Sequence, residues 1–186
     1  MVIGDEHAVT PGEQFYNNTV VAQCPATGIP NPIVPVATPR VVVTPPAPSN
    51  GVLADGAYSI ANQFSALVLD DPAWSVNSGT QIIQWSPNGG INQQWQFKNN
   101  GSGQYTISNA FSGLYLTDSA GKLTQVTMNN KANQLWILKA AGNGAYTLKN
   151  KSTGRVIDDP GFSTEDGAGI LTWSANGGAN QKWVIQ

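Results

Sequence analysis

The tetrapeptide Asn-Gln-x-Trp is written three times in this chain, as "NQQW" at 92–95, "NQLW" at 133–136 and "NQKW" at 180–183. The three tryptophans lie 41 and 47 residues apart. Each follows an upstream marker: "YSIAN" from Tyr58, "YTISN" from Tyr105 and "YTLKN" from Tyr146. The Tyr-to-Trp spans are 37, 31 and 37 residues, so two full repeats flank one that is six residues shorter. Between marker and motif, "FSALVLDDPAW", "FSGLYLTDSAG" and "STGRVIDDPGF" align without gaps through their aspartates. Self-similarity at such a period constrains a fold more than any local signal, because each copy must adopt the same unit and share one core. The repeats run over about 51–98, 99–138 and 139–186.

Each unit reads as short strands. Tyr58 and Ile60, Tyr105 and Ile107, Tyr146 and Leu148 alternate with polar neighbours. So do Trp95 and Phe97, Trp136 and Leu138, Trp183 and Ile185. That is the period of a half-buried strand. Gly and Asn clusters at 88–90, 99–101, 142–144 and 176–178 supply the turns. No stretch carries a helical period. The expectation is an all-β architecture of four short strands per repeat, closed so that no sheet edge is left open.

Three Gln-x-Trp triplets, each preceded by Asn and by Tyr-x-[Ile/Leu]-x-Asn at matched spacing, resemble the ricin B-type lectins over about residues 51–186. The resemblance implies a β-trefoil of three pseudo-symmetric subdomains. The physical reading of the motif agrees. On one strand Gln93 and Trp95 would share a face, the tryptophan giving its large apolar area to a core. A buried glutamine amide needs partners, expected from the backbone of a neighbouring turn.

The resemblance also implies a shallow sugar pocket in each subdomain, built from an aspartate at the end of the "LD" strand, an aromatic about fifteen residues on, and the Asn of Asn-Gln-x-Trp. Those residue types suit the chemistry. A carboxylate accepts two hydrogen bonds from neighbouring hydroxyls. An aromatic face covers the C–H face of a pyranose, and an amide both donates and accepts. Repeat one holds the set as Asp70, Trp85, Asn92 and Gln93, and repeat three as Asp158, Trp173, Asn180 and Gln181. Repeat two has Thr117 and Val126 at the aspartate and aromatic positions and a loop six residues short, so it is expected to keep the fold and lack the ligands. Trp74 and Phe162 are matched aromatics of the two long loops, and either pin those loops or wall the pockets. Asp71-Pro72 and Asp159-Pro160 read as turn starts. The glycosylation sequons at Asn17, Asn100 and Asn150 are expected by chance in so polar and Asn-rich a chain.

Composition bears on what such a domain could do. Formal net charge is −2 and 11% of residues are charged, with no basic patch, which argues against nucleic acid. No apolar run approaches the roughly 20 residues of a bilayer span. His7 is the only histidine and lies outside the repeats, and Cys24 is the only cysteine. No Ser-His-Asp set, no metal site and no intrachain disulfide is expected. No cofactor and no enzymatic activity are expected either.

Residues 1–50 are different material, holding nine of the twelve prolines, with "GIPNPIVPVATPRVVVTPPAPSN" alternating proline and β-branched residues. Such a segment is expected to be extended, partly polyproline II. It reads as a linker, or as an arm that docks on a protein assembly partner by strand addition. The start, "MVIGDEHAVTPGEQ", lacks a basic-then-apolar signal pattern, and a site outside the cell or on a particle surface is favoured. Two functions follow. One is a lectin for galactose-like or xylan-like glycans. The other is a decorating subunit of a virion, filament or surface array, anchored by residues 1–50 with the trefoil displayed.

Overall fold

The computed structural model describes residues 53–186. The expectations for residues 1–50 lie outside the described residues. Among those described there is no α-helix, and the chain runs as fourteen strands joined by turns and five one-turn 3-10 segments.

Repeat one contributes β1 (Gly56–Tyr58), β2 (Ile60–Asn62), β3 (Val68–Asp70), β4 (Thr80–Gln81), β5 (Ile83–Trp85) and β6 (Trp95–Asn99). Repeat two contributes β7 (Gln104–Asn109), β8 (Tyr115–Ser119), β9 (Lys122–Val126) and β10 (Trp136–Ala140). Repeat three contributes β11 (Ala145–Asn150), β12 (Val156–Asp158), β13 (Leu171–Trp173) and β14 (Trp183–Ile185). Repeat one holds the same four-strand plan, with its first strand broken at Ser59.

First and last strands of the repeats form a ring. β1 pairs β6, β6 pairs β7, β7 pairs β10, β10 pairs β11, β11 pairs β14, and β14 returns to β2. All these pairs are antiparallel, and closure leaves the ring without an edge. The middle strands make three hairpins, β3/β5, β8/β9 and β12/β13, which meet one another through β4–β9, β9–β13 and an Ile83–Gly169 bridge. A six-stranded barrel capped by three hairpins is a β-trefoil, as the resemblance implied.

The register explains both sequence markers. Tyr58 pairs with Trp95, Tyr105 with Trp136 and Tyr146 with Trp183, which closes each repeat on itself. The Asn ending each Tyr marker pairs with the tryptophan of the preceding repeat: Asn109 with Trp95, Asn150 with Trp136 and Asn62 with Trp183. Its amide donates to a carbonyl of that repeat's motif, Asn109 to Asn92 O at 2.8 Å, Asn150 to Asn133 O at 2.9 Å and Asn62 to Asn180 O at 3.0 Å. One marker closes a repeat and the other welds it to its neighbour. All three tryptophans are fully buried in one core with Ile60, Leu69, Phe97, Tyr105, Leu116 and Leu148. Each indole N–H donates to the carbonyl of its own repeat's Leu69, Leu116 or Ile157. A buried indole therefore keeps its polar group satisfied.

One expectation changes. Gln93 does not share a strand with Trp95. It ends a 3-10 turn, Ile91–Gln93, with Gln134 and Gln181 ending the matching turns. The turn folds the motif back over its own repeat, which carries the glutamine beneath the β3, β8 or β12 strand end instead of along β6, β10 or β14.

Candidate functional site

Two concavities of the trefoil are lined by residues from corresponding positions. The first, of about 430 Å³, is formed by Asp70, Pro72, Ala73, Trp74, Ile83, Trp85, Asn88 and Asn92. In the second, of about 310 Å³, Asp158 and Trp173 take the places of Asp70 and Trp85, Phe162 that of Trp74, and Asn180 that of Asn92. The expected aspartate, aromatic and asparagine thus meet in one cleft in repeats one and three.

The carboxylate sits at the floor. Asp70 is nearly buried, and its Oδ2 accepts from Asn92 Nδ2 at 3.0 Å and Gln93 Nε2 at 2.9 Å. No described residue donates to Oδ1. Burial pushes the Asp70 carboxyl above its ordinary value, while the Gln93 and Asn92 donations pull it down. Asp158 repeats the geometry, accepting from Asn180 at 3.1 Å and Gln181 at 2.7 Å.

Gln93 and Gln181 lie outside the lining. Gln93 Oε1 accepts the Asn88 backbone N–H at 2.9 Å, and Nε2 also donates to Ser86 O at 3.0 Å. The expected backbone partners are present, but the carboxylate takes the remaining N–H. These glutamines hold the aspartate in place. Asn92 spends Nδ2 on Asp70 and on Asp71 O, which leaves its buried Oδ1 with no partner among the described residues, and Asn180 Oδ1 is left likewise.

Sequence reasoning missed why that asparagine can sit there. A Cβ on Gly90 would lie 2.4 Å from Asn92 Oδ1, and one on Gly178 would lie 2.4 Å from Asn180 Oδ1. Gly90 has φ −66°, open to any residue, so the requirement is steric. Lys131 occupies the equivalent position in repeat two, and there Asn133 is only half-buried and meets Asn129 at 3.4 Å. The signal was legible as "NGGxNQ" in repeats one and three against "NNKANQ" in repeat two.

Repeat two lacks the parts of such a cleft. Its long loop is replaced by a two-residue turn, Ala120-Gly121, between β8 and β9, with φ 53° and 95°. Thr117 Oγ1 takes the glutamine's donation from Gln134 Nε2 at 3.1 Å. The hydroxyl thus fills the aspartate's structural role without offering a charged acceptor.

Trp74 and Phe162 are about half exposed. Both line their clefts, and each makes an edge-to-face contact with a ring of another repeat, Trp74 with Phe111 and Phe162 with Phe64. They wall the pocket and are pinned at once. Asp71 and Asp159 start Pro-led 3-10 turns, as their Asp-Pro pairs suggested, but each is fully buried and makes no cap hydrogen bond. Asp71 Oδ1 accepts from Gln125 Nε2 at 2.8 Å, while among the described residues Oδ2 and both oxygens of Asp159 have no hydrogen bond of good geometry. Burial, with the neighbouring Asp70 charge, pushes Asp71 up to about 7, and burial pushes Asp159 up to about 6.

The two clefts are not identical. Repeat three's long loop braces repeat one: Asp166 Oδ1 accepts from Ser86 N at 2.6 Å, and Gln84 N donates to Ala168 O at 2.9 Å. Gly167 lies beside Trp85. Trp85 is 41% exposed, whereas Trp173, with no long loop from repeat two beside it, is 59% exposed. Among the described residues no group of His, Cys, Asp and Glu could hold a metal ion, and no helix is long and apolar enough to cross a membrane.

A family profile described as ricin-type beta-trefoil lectin domain-like matches residues 49–129, 91–173 and 132–186. The chain belongs to this ricin-type β-trefoil lectin family. Solved structures agree with the assignment. The designed 3-fold symmetric protein ThreeFoil is 34% identical with a TM-score of 0.67, covering 70% of this chain and 98% of its own. The exo-beta-1,3-galactanase 1,3Gal43A from Clostridium thermocellum is 36% identical with a TM-score of 0.68 over 72% of this chain, which spans only 30% of the galactanase. The Macrolepiota procera ricin B-like lectin, solved in complex with lactose, is 27% identical with a TM-score of 0.61, covering 73% of this chain and 97% of the lectin. No curated protein sequence gives a match. Within the ricin-type lectin family, the fold and a carbohydrate-binding role at the coarse level come with membership.

Proposed function

We propose that residues 51–186 form a non-catalytic lectin with two glycan pockets, at Asp70/Trp85/Asn92 and Asp158/Trp173/Asn180, and none in repeat two. The observation that carries this reading is the unspent Oδ1 of Asp70 at the floor of a cleft walled by half-exposed Trp85 and Trp74. A sugar would lay its C–H face on Trp85 and donate two hydroxyls to Asp70. The free Asn92 Oδ1 would accept a further hydroxyl. Gln93 and Gln181 act by holding the aspartates. Each cleft is lined by a single carboxylate, where glycoside hydrolysis requires two facing one bond.

Galactosides are the preferred class over xylans. The Macrolepiota lectin was solved with lactose, and the relative of highest identity among those above is a domain of a galactanase. Each hydroxyl bond replaces a water bond at a net gain of about 1 kcal/mol, so a single pocket binds near the millimolar range, about −4 kcal/mol. Residues 1–50 are assigned as a Pro-rich tether that presents the lectin, in keeping with their composition.

The test is binding of lactose and of xylo-oligosaccharides to the wild type and to Asp70→Thr with Asp158→Thr. Lactose binding that vanishes in the double variant, with weaker or no xylo-oligosaccharide binding throughout, is the expected result. Equal lactose binding by both proteins would remove these clefts from consideration.

A further inference from the structure

We infer that each pocket is completed by an aromatic ring from the next repeat: Phe111 positions the Trp74 wall of pocket one, and Phe64 positions the Phe162 wall of pocket three. The inference rests on the lectin reading above and adds two residues that line neither cleft.

The wall residues stand in a backbone that needs support. Trp74 has φ 55° and Phe162 has φ 55°, each following a residue that is also left-handed, Ala73 at 52° and Gly161 at 69°. Bulky side chains rarely adopt this region, because Cβ crowds the following carbonyl. Both walls are also half exposed, so burial alone does not fix them. Each is met by one aromatic ring of the next repeat. Trp74 and Phe111 lie 5.1 Å apart at 89°, and Phe162 and Phe64 lie 5.1 Å apart at 84°. Edge-to-face pairs at this separation are favourable beyond their area.

The third repeat boundary serves as an internal control. Phe64, Phe111 and Ser152 occupy the same position after the Tyr-x-[Ile/Leu]-x-Asn marker. Phe111 faces the long loop of repeat one, and Phe64 faces that of repeat three. Ser152 would face repeat two, whose tight Ala120-Gly121 turn carries no wall aromatic. The partner ring is missing where the wall is missing. Phe64 and Phe111 remain 47% and 42% exposed, so core packing does not account for them. A sugar-site role for the wall does, because a wall that swings open covers less of the sugar.

The experiment is a lactose titration of the full chain, followed site by site through the indole N–H resonances of Trp85 and Trp173. Phe111→Ala should weaken the Trp85 site about threefold to tenfold and leave the Trp173 site unchanged. Phe64→Ala should do the reverse, Phe111→Tyr should retain wild-type affinity, and Ser152→Phe should create no new site. In Phe111→Ala without sugar, the Trp74 indole resonance should move, since the neighbouring ring current is gone. A general loss of folding would weaken both sites together, and that result, or unchanged affinity in both alanine variants, overturns the inference. A wild type that shows no lactose-dependent shifts rejects the lectin reading itself and this inference with it.

Discussion

At the residue scale, the conserved duty of each motif glutamine is to find a third partner, and the chain solves this in two ways. In repeats one and three an aspartate accepts the N–H, and in repeat two Thr117 does. The substitution that separates binding from folding at Asp70 is therefore threonine. Asp70→Ala leaves one buried N–H of Gln93 and one of Asn92 without an acceptor, at about 1–3 kcal/mol. Asp70→Thr should cost less than half as much in urea unfolding while losing pocket one equally. A larger loss for the threonine variant would contradict the account. By the same argument Thr117→Ala destabilises by about 1 kcal/mol although it touches no pocket. Asp, Trp and Asn were legible through the family resemblance, and their matched spacing located them in two repeats. The glutamines' supporting role was not, since a 3-10 turn and a strand place Gln93 on different sides of the same four residues.

At the element scale, the two repeats that carry the proposed clefts differ from repeat two in two connections. One is the β3–β5 connection, twelve residues over 71–82 in repeat one against six over 118–123 in repeat two, where longer strands leave only a two-residue turn. The other is the turn before the motif, where Gly90 and Gly178 correspond to Lys131 of repeat two. Gly90→Ala should fold normally, because φ −66° suits alanine, yet displace Asn92 and weaken pocket one about tenfold, equivalent to losing one good hydrogen bond. A sugar titration that finds wild-type affinity in this variant would show that Asn92 is not a ligand. The loop's length was readable from the six-residue gap between repeats. Its bracing was not, because Asp166 on Ser86 and Gln125 on Asp71 are contacts between repeats, and a pattern within one repeat carries no information about its neighbour.

At the scale of the whole molecule, the closed all-β repeat architecture was legible from the three-fold repetition, and the trefoil from the resemblance that the Gln-x-Trp triplets carry. Its pH response was not, because nothing in "DDP" marks the second aspartate as buried. Asp71 and Asp159 have folded-state values raised from 3.8 to about 7 and about 6. A raised carboxyl binds its proton more tightly when folded, so the stabilisation is complete below about pH 4 and is lost as pH rises to about 7. The melting temperature should fall by several degrees between about pH 5 and pH 8. Asp71→Asn should remove the larger part of that fall, and an unchanged slope in the variant would show that Asp71 is ionised throughout. If both pockets bind as proposed, a polymeric galactoside that reaches both should bind on the order of a hundredfold more tightly than lactose in a titration of the wild type.

The central claim, sugar sites in repeats one and three and none in repeat two, is tested most directly by the six tryptophan indole resonances during a lactose titration. Three of these residues, Trp95, Trp136 and Trp183, are sealed in the core, one per repeat. Trp74, Trp85 and Trp173 line the clefts. The expected result is saturable movement of Trp74, Trp85 and Trp173, with the core three unmoved. In Asp70→Thr only Trp173 should continue to respond. No movement of the cleft resonances, or an undiminished Trp85 response in Asp70→Thr, would contradict the account.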